Sequence, residues 1–189
     1  MNEKQKASAI IPTMWRAQEF TNHLIDTLIE DEAVGEIIII DNSLTGFYLS
    51  SDGDSVRLDR NHKYEKVSIL KQPENLYVNP SWNLGIEEAY YEKFIIFNDD
   101  ITIPYNFVSQ LQNLLTKDKG VIGVEAKSVI TVDKFDDKNT TFLDRKIDLK
   151  PITTRDWGFG IIIAGHTVSY HKIPENIRIW HGDDYLVKM

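Results

Sequence analysis

The sequence predicts an α/β fold: a mostly parallel central sheet flanked by helices, with a mixed part toward the C-terminus. Three observations predict it. Short runs of β-branched and aromatic residues alternate with segments of helical apolar spacing over the first two thirds of the chain. The runs stop abruptly in polar residues, Asp41-Asn42-Ser43 after one and Asn98-Asp99-Asp100 after another. An apolar fraction of 42% in 189 residues supplies a core that needs no disulfides, and the chain has no cysteine.

The elements follow in order. Ala7 to Pro12 is an apolar strand broken at Pro12-Thr13. Ala17 to Glu30 carries Phe20, Leu24 and Leu28 at helical spacing. Glu36 to Ile40 is a β-branched strand running into the Asp41-Asn42-Ser43 turn, and Leu44 to Lys63 is a polar, irregular excursion. Val67 to Leu70 is a third strand, and Pro80 to Tyr91 a helix with Pro80 near its first turn. Phe94 to Phe97 reads as a buried strand, and Asn106 to Leu115 as a helix. Val121 to Val132 is strand-like, Asp133 to Asn139 a charged turn, and Phe142 to Ile152 extended or irregular. An apolar run at Phe159 to Ala164, a short strand at Ile177 to Trp180 and a last helix over Asp183 to Lys188 complete the chain.

Composition excludes several functions. A net charge of −8 without a basic stripe argues against a nucleic-acid partner. The absence of cysteine excludes a cysteine nucleophile and thiolate metal sites. No apolar run approaches a membrane span, and the polar stretch from Met1 to Ser8 does not read as a secretory signal. The expected location is cytoplasmic, with work at a membrane surface left open. Neither of the first two strands is followed by G-x-G-x-x-G, and a P-loop is absent, which argues against a Rossmann dinucleotide site.

Chemistry concentrates at Asn98-Asp99-Asp100. In a parallel α/β sheet ligands bind outside the carboxyl ends of the strands. Adjacent carboxylates there repel unless a positive charge sits between them. Hard oxygen ligands at such a place suit Mg²⁺ or Mn²⁺ carrying a substrate's phosphates.

Ile10-Ile11-Pro12-Thr13, Ile39-Ile40-Asp41-Asn42-Ser43, Asn75 with Asn83-Leu84-Gly85-Ile86, Phe97-Asn98-Asp99-Asp100 and Gly182-Asp183-Asp184-Tyr185-Leu186 stand in series along nearly the whole chain. In that order and spacing they resemble family 2 nucleotide-sugar glycosyltransferases of the GT-A fold, a Rossmann-like sheet with a mixed acceptor-binding part. The resemblance implies one domain over residues 1–189, with about 1–105 binding the nucleotide sugar and about 106–189 the acceptor. It implies a nucleotide diphosphate sugar donor, a saccharide or other hydroxyl acceptor, a divalent cation, Mn²⁺ or Mg²⁺, and transfer with inversion.

Carried over by motif, Pro12, Thr13 and Asp41 hold the nucleotide, with Arg16 near a phosphate. Asp100 ligates the metal, and Asn98 or Asp99 contacts ribose or donor sugar, with Asp99 a second metal candidate. Asn75 and Asn83 lie near the donor. Tyr77 stands where many relatives carry glycine, and Pro80 where a small residue is common. Gly182-Asp183-Asp184 occupies the place of the family's Glu-Asp pair, so the catalytic base is Asp184, with Asp183 next. His181 is a third metal ligand or a donor to the diphosphate. Plainer roles compete at each position: a turn at Asp41, caps at Asp99, Asp100 and Asp183, and a surface helix residue at Asn83.

Two other functions compete with this reading. A sugar nucleotidyltransferase would need a glycine-rich basic loop after the first strand, which Pro12-Thr13-Met14-Trp15-Arg16 does not supply. A non-catalytic carbohydrate-binding or assembly module of the same fold is opposed by carboxylates at both metal and base positions. The chain ends at Met189, shortly after the expected base. A minimal enzyme, a piece of a longer protein and reliance on homo-oligomerisation are the readings this leaves.

Overall fold

A computed structural model describes residues 6–43, 65–131, 134–135 and 147–189. The excursion expected over 44–63, most of the charged turn at 133–139, and residues 142–146 lie outside the described residues.

Six strands form one sheet in the order β3-β2-β1-β4-β6-β5. β1 (Ala7–Thr13), β2 (Val34–Asp41), β3 (Val67–Lys71) and β4 (Lys93–Phe97) run parallel. β6 (Ile162–His166) inserts antiparallel between β4 and β5 (Val121–Gly123). The chain winds outward from β1 through β2 to β3, then returns to β4 on the other side of β1. The carboxyl ends of β1 and β4 therefore flank the point where strand order reverses, the usual crevice for a ligand.

Side chains alternate across this sheet because successive strand residues face opposite ways. Ala9 and Ile11, Ile37 and Ile39, Ile95 and Phe97 pack in one core layer with Leu24 and Leu28 of α1 (Gln18–Glu30) and Val108 of α3 (Phe107–Leu111). Ile10, Ile38, Ile40, Phe94 and Ile96 face the other way, onto Trp82 of α2 (Val78–Glu88) and Leu186 of α4 (Gly182–Lys188). Strands that are apolar on both faces are what a sheet covered on both sides demands. At roughly 1.5–3 kcal/mol for each fully buried Leu, Ile or Phe, these two layers supply the main favourable term in folding.

Three expected elements are corrected. Of the strand expected over Val121 to Val132, the described residues form a regular strand at Val121–Gly123, a 3₁₀ turn at Ala126–Ser128 and an isolated bridge at Val129. The helix expected from Asn106 to Leu115 is regular only over Phe107–Leu111. Asn106 is left-handed, and Asp31 caps the helix from outside, its Oδ2 accepting from the Val108 and Ser109 N–H groups at 2.9 and 3.2 Å. Ile177 to Trp180 forms no strand. The Asn79 side-chain amide donates to the Ile177 carbonyl and the Asn79 N–H to that of Arg178, at 2.9 and 3.0 Å, so α2 occupies groups a strand partner would use. Among the described residues no helix is long and apolar enough to cross a membrane.

Candidate active site

Pro12 of β1, Phe97 of β4, the Asn98-Asp99-Asp100 turn, and Val78 and Trp82 of α2 line a cleft of about 180 Å³. It opens at the reversal point, and the turn is fixed from three sides. The Thr13 hydroxyl donates to Asp99 Oδ2 at 2.5 Å and accepts the Trp15 N–H at 2.8 Å. Thr21 of α1 donates to the Asp99 carbonyl at 3.0 Å. The Asn98 N–H donates to the Ile161 carbonyl at 3.0 Å, tying the turn to the 3₁₀ turn at Phe159–Ile161.

Asp99 is half-buried and Asp100 exposed. Burial pushes the Asp99 carboxyl above the ordinary carboxylate range, and the neighbouring Asp100 charge pushes the same way, against the opposing Thr13 bond. Two carboxylates strained by each other's charge at a crevice mouth fit a hard divalent cation that arrives with phosphates, since such an ion needs only one or two protein carboxylates. Among the described residues no three His, Asp or Glu side chains gather into a complete metal cage. The expected third ligand, His181, is engaged elsewhere: its Nδ1 lies 3.0 Å from Asp184 Oδ2.

The second acidic group stands at the start of α4. Arg155 Nε lies 2.9 Å from Asp184 Oδ1 and 3.4 Å from Asp183 Oδ2. With His181 on its other oxygen, Asp184 is held by two cationic or donor groups, and they keep its carboxyl below the ordinary range, the His181 bond most. Asp183 also accepts the Asp184 N–H at 3.0 Å within the first turn of α4; the capping position is His181, so the competing N-cap role for Asp183 is not what the helix shows. Neither acid lines the cleft itself, and Asp183 packs on Gly160, in the 3₁₀ turn that holds Asn98. A Cβ at Gly160, the neighbour of Ile161, would come to 3.0 Å from Asp183 Oδ2, a tight contact to which the carboxylate would have to yield. A Cβ at Gly182 would collide with the side chain of Asn79, the residue after Val78. Glycine at Gly182 lets the acid-bearing helix approach α2 closely.

The remaining expected residues divide. Asp41 ends β2 opposite Thr13, almost fully buried, and its Oδ1 accepts the Ser43 N–H at 2.9 Å, so the turn role is present. Asn75 is half-buried; its Oδ1 accepts the Tyr77 N–H at 2.8 Å and its Nδ2 lies 3.7 Å from Met14 Sδ. Arg16 is exposed on the turn after β1. Tyr77 has φ of 67°, the left-handed region that glycine favours, which accounts physically for glycine being the residue expected there. Asn83 is the clearest departure. Its Nδ2 donates to the Ile173 carbonyl, and its Oδ1 accepts from the Ile173 N–H and the Tyr170 hydroxyl, at 2.8, 3.0 and 2.9 Å. It fastens segment 170–173 to α2, and its amide is spent there rather than on a donor. Arg155 is the residue that reading the sequence missed. A lone arginine in an irregular stretch carries no motif, and only the fold brings it to the acids.

A model described as glycosyl transferase family 2 matches residues 8–172. No curated protein matches. Among solved structures, the crystal structure of S. aureus TarS 1-349 superimposes with a TM-score of 0.62 at 12% identity, over 97% of this chain and 54% of that one. The same protein in complex with UDP gives 0.61 at 12% identity, over 96% and 54%. The longer S. aureus TarS gives 0.60 at 11% identity, over 97% and 33%. The chain thus spans about half the length of the first of these structures, and the shared fold is GT-A.

Proposed function

The chain belongs to glycosyl transferase family 2, and from that premise we propose that it transfers a sugar from a nucleotide diphosphate sugar to an acceptor hydroxyl, with inversion at the anomeric carbon. The observation that carries this is a pair of acidic groups: Asp99, fixed by Thr13 beside Asp100 in the crevice at the β1/β4 reversal, and Asp183 with Asp184, bridged by Arg155, with Asp183 packed on Gly160. One acidic group is suited to phosphates, and the other to an incoming hydroxyl.

In the transfer, the acceptor oxygen forms a bond to the anomeric carbon as the bond from that carbon to the diphosphate oxygen breaks. The electron pair leaves with the nucleoside diphosphate. The acceptor's proton passes to a carboxylate on the face opposite the leaving group, and Asp184 is the base, with Asp183 supporting it. Arg155 and His181 hold Asp184 ionised and oriented, at the cost of basicity; an acceptor hydroxyl has to displace one of them from a carboxylate oxygen. Asp100, with Asp99, would hold Mn²⁺ or Mg²⁺. When bound, such an ion offsets the charge that develops on the leaving diphosphate. Residues of about 1–105 serve the donor and those of about 106–189 the acceptor.

The test is thermal shift of the full chain with uridine and guanosine diphosphate sugars, in Mn²⁺ and in EDTA, followed by nucleotide release. The TarS complex with UDP puts the uridine compounds first. A ligand that binds the native state raises the melting temperature by mass action. The expected result is a shift with at least one nucleotide in Mn²⁺ that EDTA reduces and Asp100→Asn abolishes. Equal shifts in EDTA refute the metal role, and no shift with any nucleotide refutes the function.

A further inference from the structure

Two of the four tryptophans stand in water. Trp15 and Trp82 are 5% and 4% exposed, whereas Trp157 is 64% and Trp180 77% exposed. An indole left in solvent forgoes much of the largest hydrophobic contribution any side chain can make. Two such rings in one neighbourhood mark a surface built to meet something.

Their positions say what it meets. Trp157 lies two residues after Arg155, whose Nε reaches Asp184 at 2.9 Å, and three residues before Gly160, which packs on the Asp183 carboxylate. Trp180 directly precedes His181, whose Nδ1 lies 3.0 Å from the other Asp184 oxygen. Two separate backbone segments thus converge on one carboxylate pair, and each carries an exposed indole within two residues of its contact to Asp184. Tyr90, 80% exposed, provides a contrast: it precedes β4 at the opposite, amino edge of the sheet and stacks on Tyr91 at 5.1 Å.

We propose that Trp157 and Trp180 form the binding platform for the acceptor, and that the acceptor is a saccharide. The proposal rests on Asp184 being the base of the transfer. A pyranose ring has a face of C–H groups and a rim of hydroxyls. The C–H face suits the electron-rich face of an indole. The rim suits Asp183, Asp184, Arg155 and His181, which offer both acceptors and donors. A lipid alcohol would satisfy the rings and strand the charges. A hydroxyl on a peptide would satisfy the charges and leave the rings bare. Neither ring belongs to the crevice at the β1/β4 reversal, so donor binding does not depend on them.

The experiment probes an array of immobilised neutral oligosaccharides with the wild-type chain, Trp157→Ala, Trp180→Ala and the two Phe variants. Calorimetry with UDP and Mn²⁺ and light scattering accompany it. The wild type is expected to bind at least one saccharide class. Each Ala variant should weaken that binding roughly two- to ten-fold, the scale of one lost aromatic partner, while Phe restores most of it. UDP affinity should be the same in all five proteins. Binding of UDP without retention on any glycan overturns the platform, as does glycan binding unchanged in both Ala variants. A change of oligomeric mass in the Ala variants overturns it too, making the rings a protein interface. Failure of UDP and of every other nucleotide to bind the wild type refutes the transferase reading instead.

Discussion

Replacing Thr13 by Val tests the centre of the donor crevice. The substitution keeps the β-branched shape in a strand and removes only the hydroxyl. That hydroxyl makes two bonds, one given to the Asp99 carboxylate and one taken from the buried Trp15 N–H. Losing a hydrogen bond to a charged group costs about 1.5–3 kcal/mol, and orphaning a buried N–H about 1–3. Asp99 is only half-buried, so water recovers part of the first loss, leaving about 3 kcal/mol in all. With a urea m-value of about 2 kcal/mol/M, the unfolding midpoint should fall by about 1.5 M. The sign with pH is also fixed. The Asp99 carboxyl already ionises above its unfolded range because of burial, so this group favours the fold while protonated and opposes it as pH rises through its folded range. Without Thr13 that folded range moves higher still. A protonated carboxyl no longer needs the Thr13 donor, so the deficit of Thr13→Val should shrink as pH falls through the folded range of Asp99 and be full above it. Thr13→Ser, which keeps the hydroxyl, should lose far less. Equal stability of the Val and Ser variants, or a deficit independent of pH, would refute the role given to this bond.

The other predictions concern the acids and α2. Asp184→Asn should lower transfer on the order of 10²–10⁴-fold with nucleotide affinity unchanged, as for loss of a general base; Asp183→Asn should lower it less. Arg155→Gln should cost little stability, about 1 kcal/mol or less, because its ion pairs are partly in water. It should shift the acid limb of the transfer rate upward in pH, since Asp184 loses one of the groups that hold its carboxyl low; an unmoved limb would show Arg155 to be a tether only. Asn83→Ala removes three hydrogen bonds to segment 170–173 and should destabilise the fold by about 2–4 kcal/mol in urea, while the folded fraction binds nucleotide as before. A loss of nucleotide affinity without a loss of stability would return Asn83 to the donor site.

The parallel half of the sheet was legible because each strand is apolar on both faces and each helix shows its own period. Glu36 to Ile40 and Phe94 to Phe97 read as buried strands, both end in polar residues, and those after Phe97 line the crevice. The C-terminal half was less legible, because its backbone is satisfied at long range. Ile177 to Trp180 has the composition of a strand, yet Ile179 and Trp180 face water and the carbonyls of 177 and 178 go to Asn79 on α2. No local pattern carries that pairing. The same holds for Asn83, whose partners lie 87 and 90 residues away, and for Asp31, which caps a helix 77 residues on. Motif spacing points to the acids of both groups as candidates but not to Arg155, which has no periodicity to betray it.

The two acidic groups differ in a way that suits separate tasks. Burial and a neighbouring like charge raise Asp99, so its ionised form is disfavoured until a positive charge stands beside it. Asp184 is lowered by His181 and Arg155, which keeps it ionised well into acid. A carboxylate lowered in this way is a weak base until a partner leaves it. On the proposed assignment of Asp184 as base, an acceptor that draws Arg155 or His181 toward its own hydroxyls raises the basicity of Asp184 at the moment a proton must be taken. Water, too small to engage both groups at once, would leave the base restrained. Transfer to a bound saccharide would then be favoured over hydrolysis of the donor by the same contacts that hold Asp184 in place.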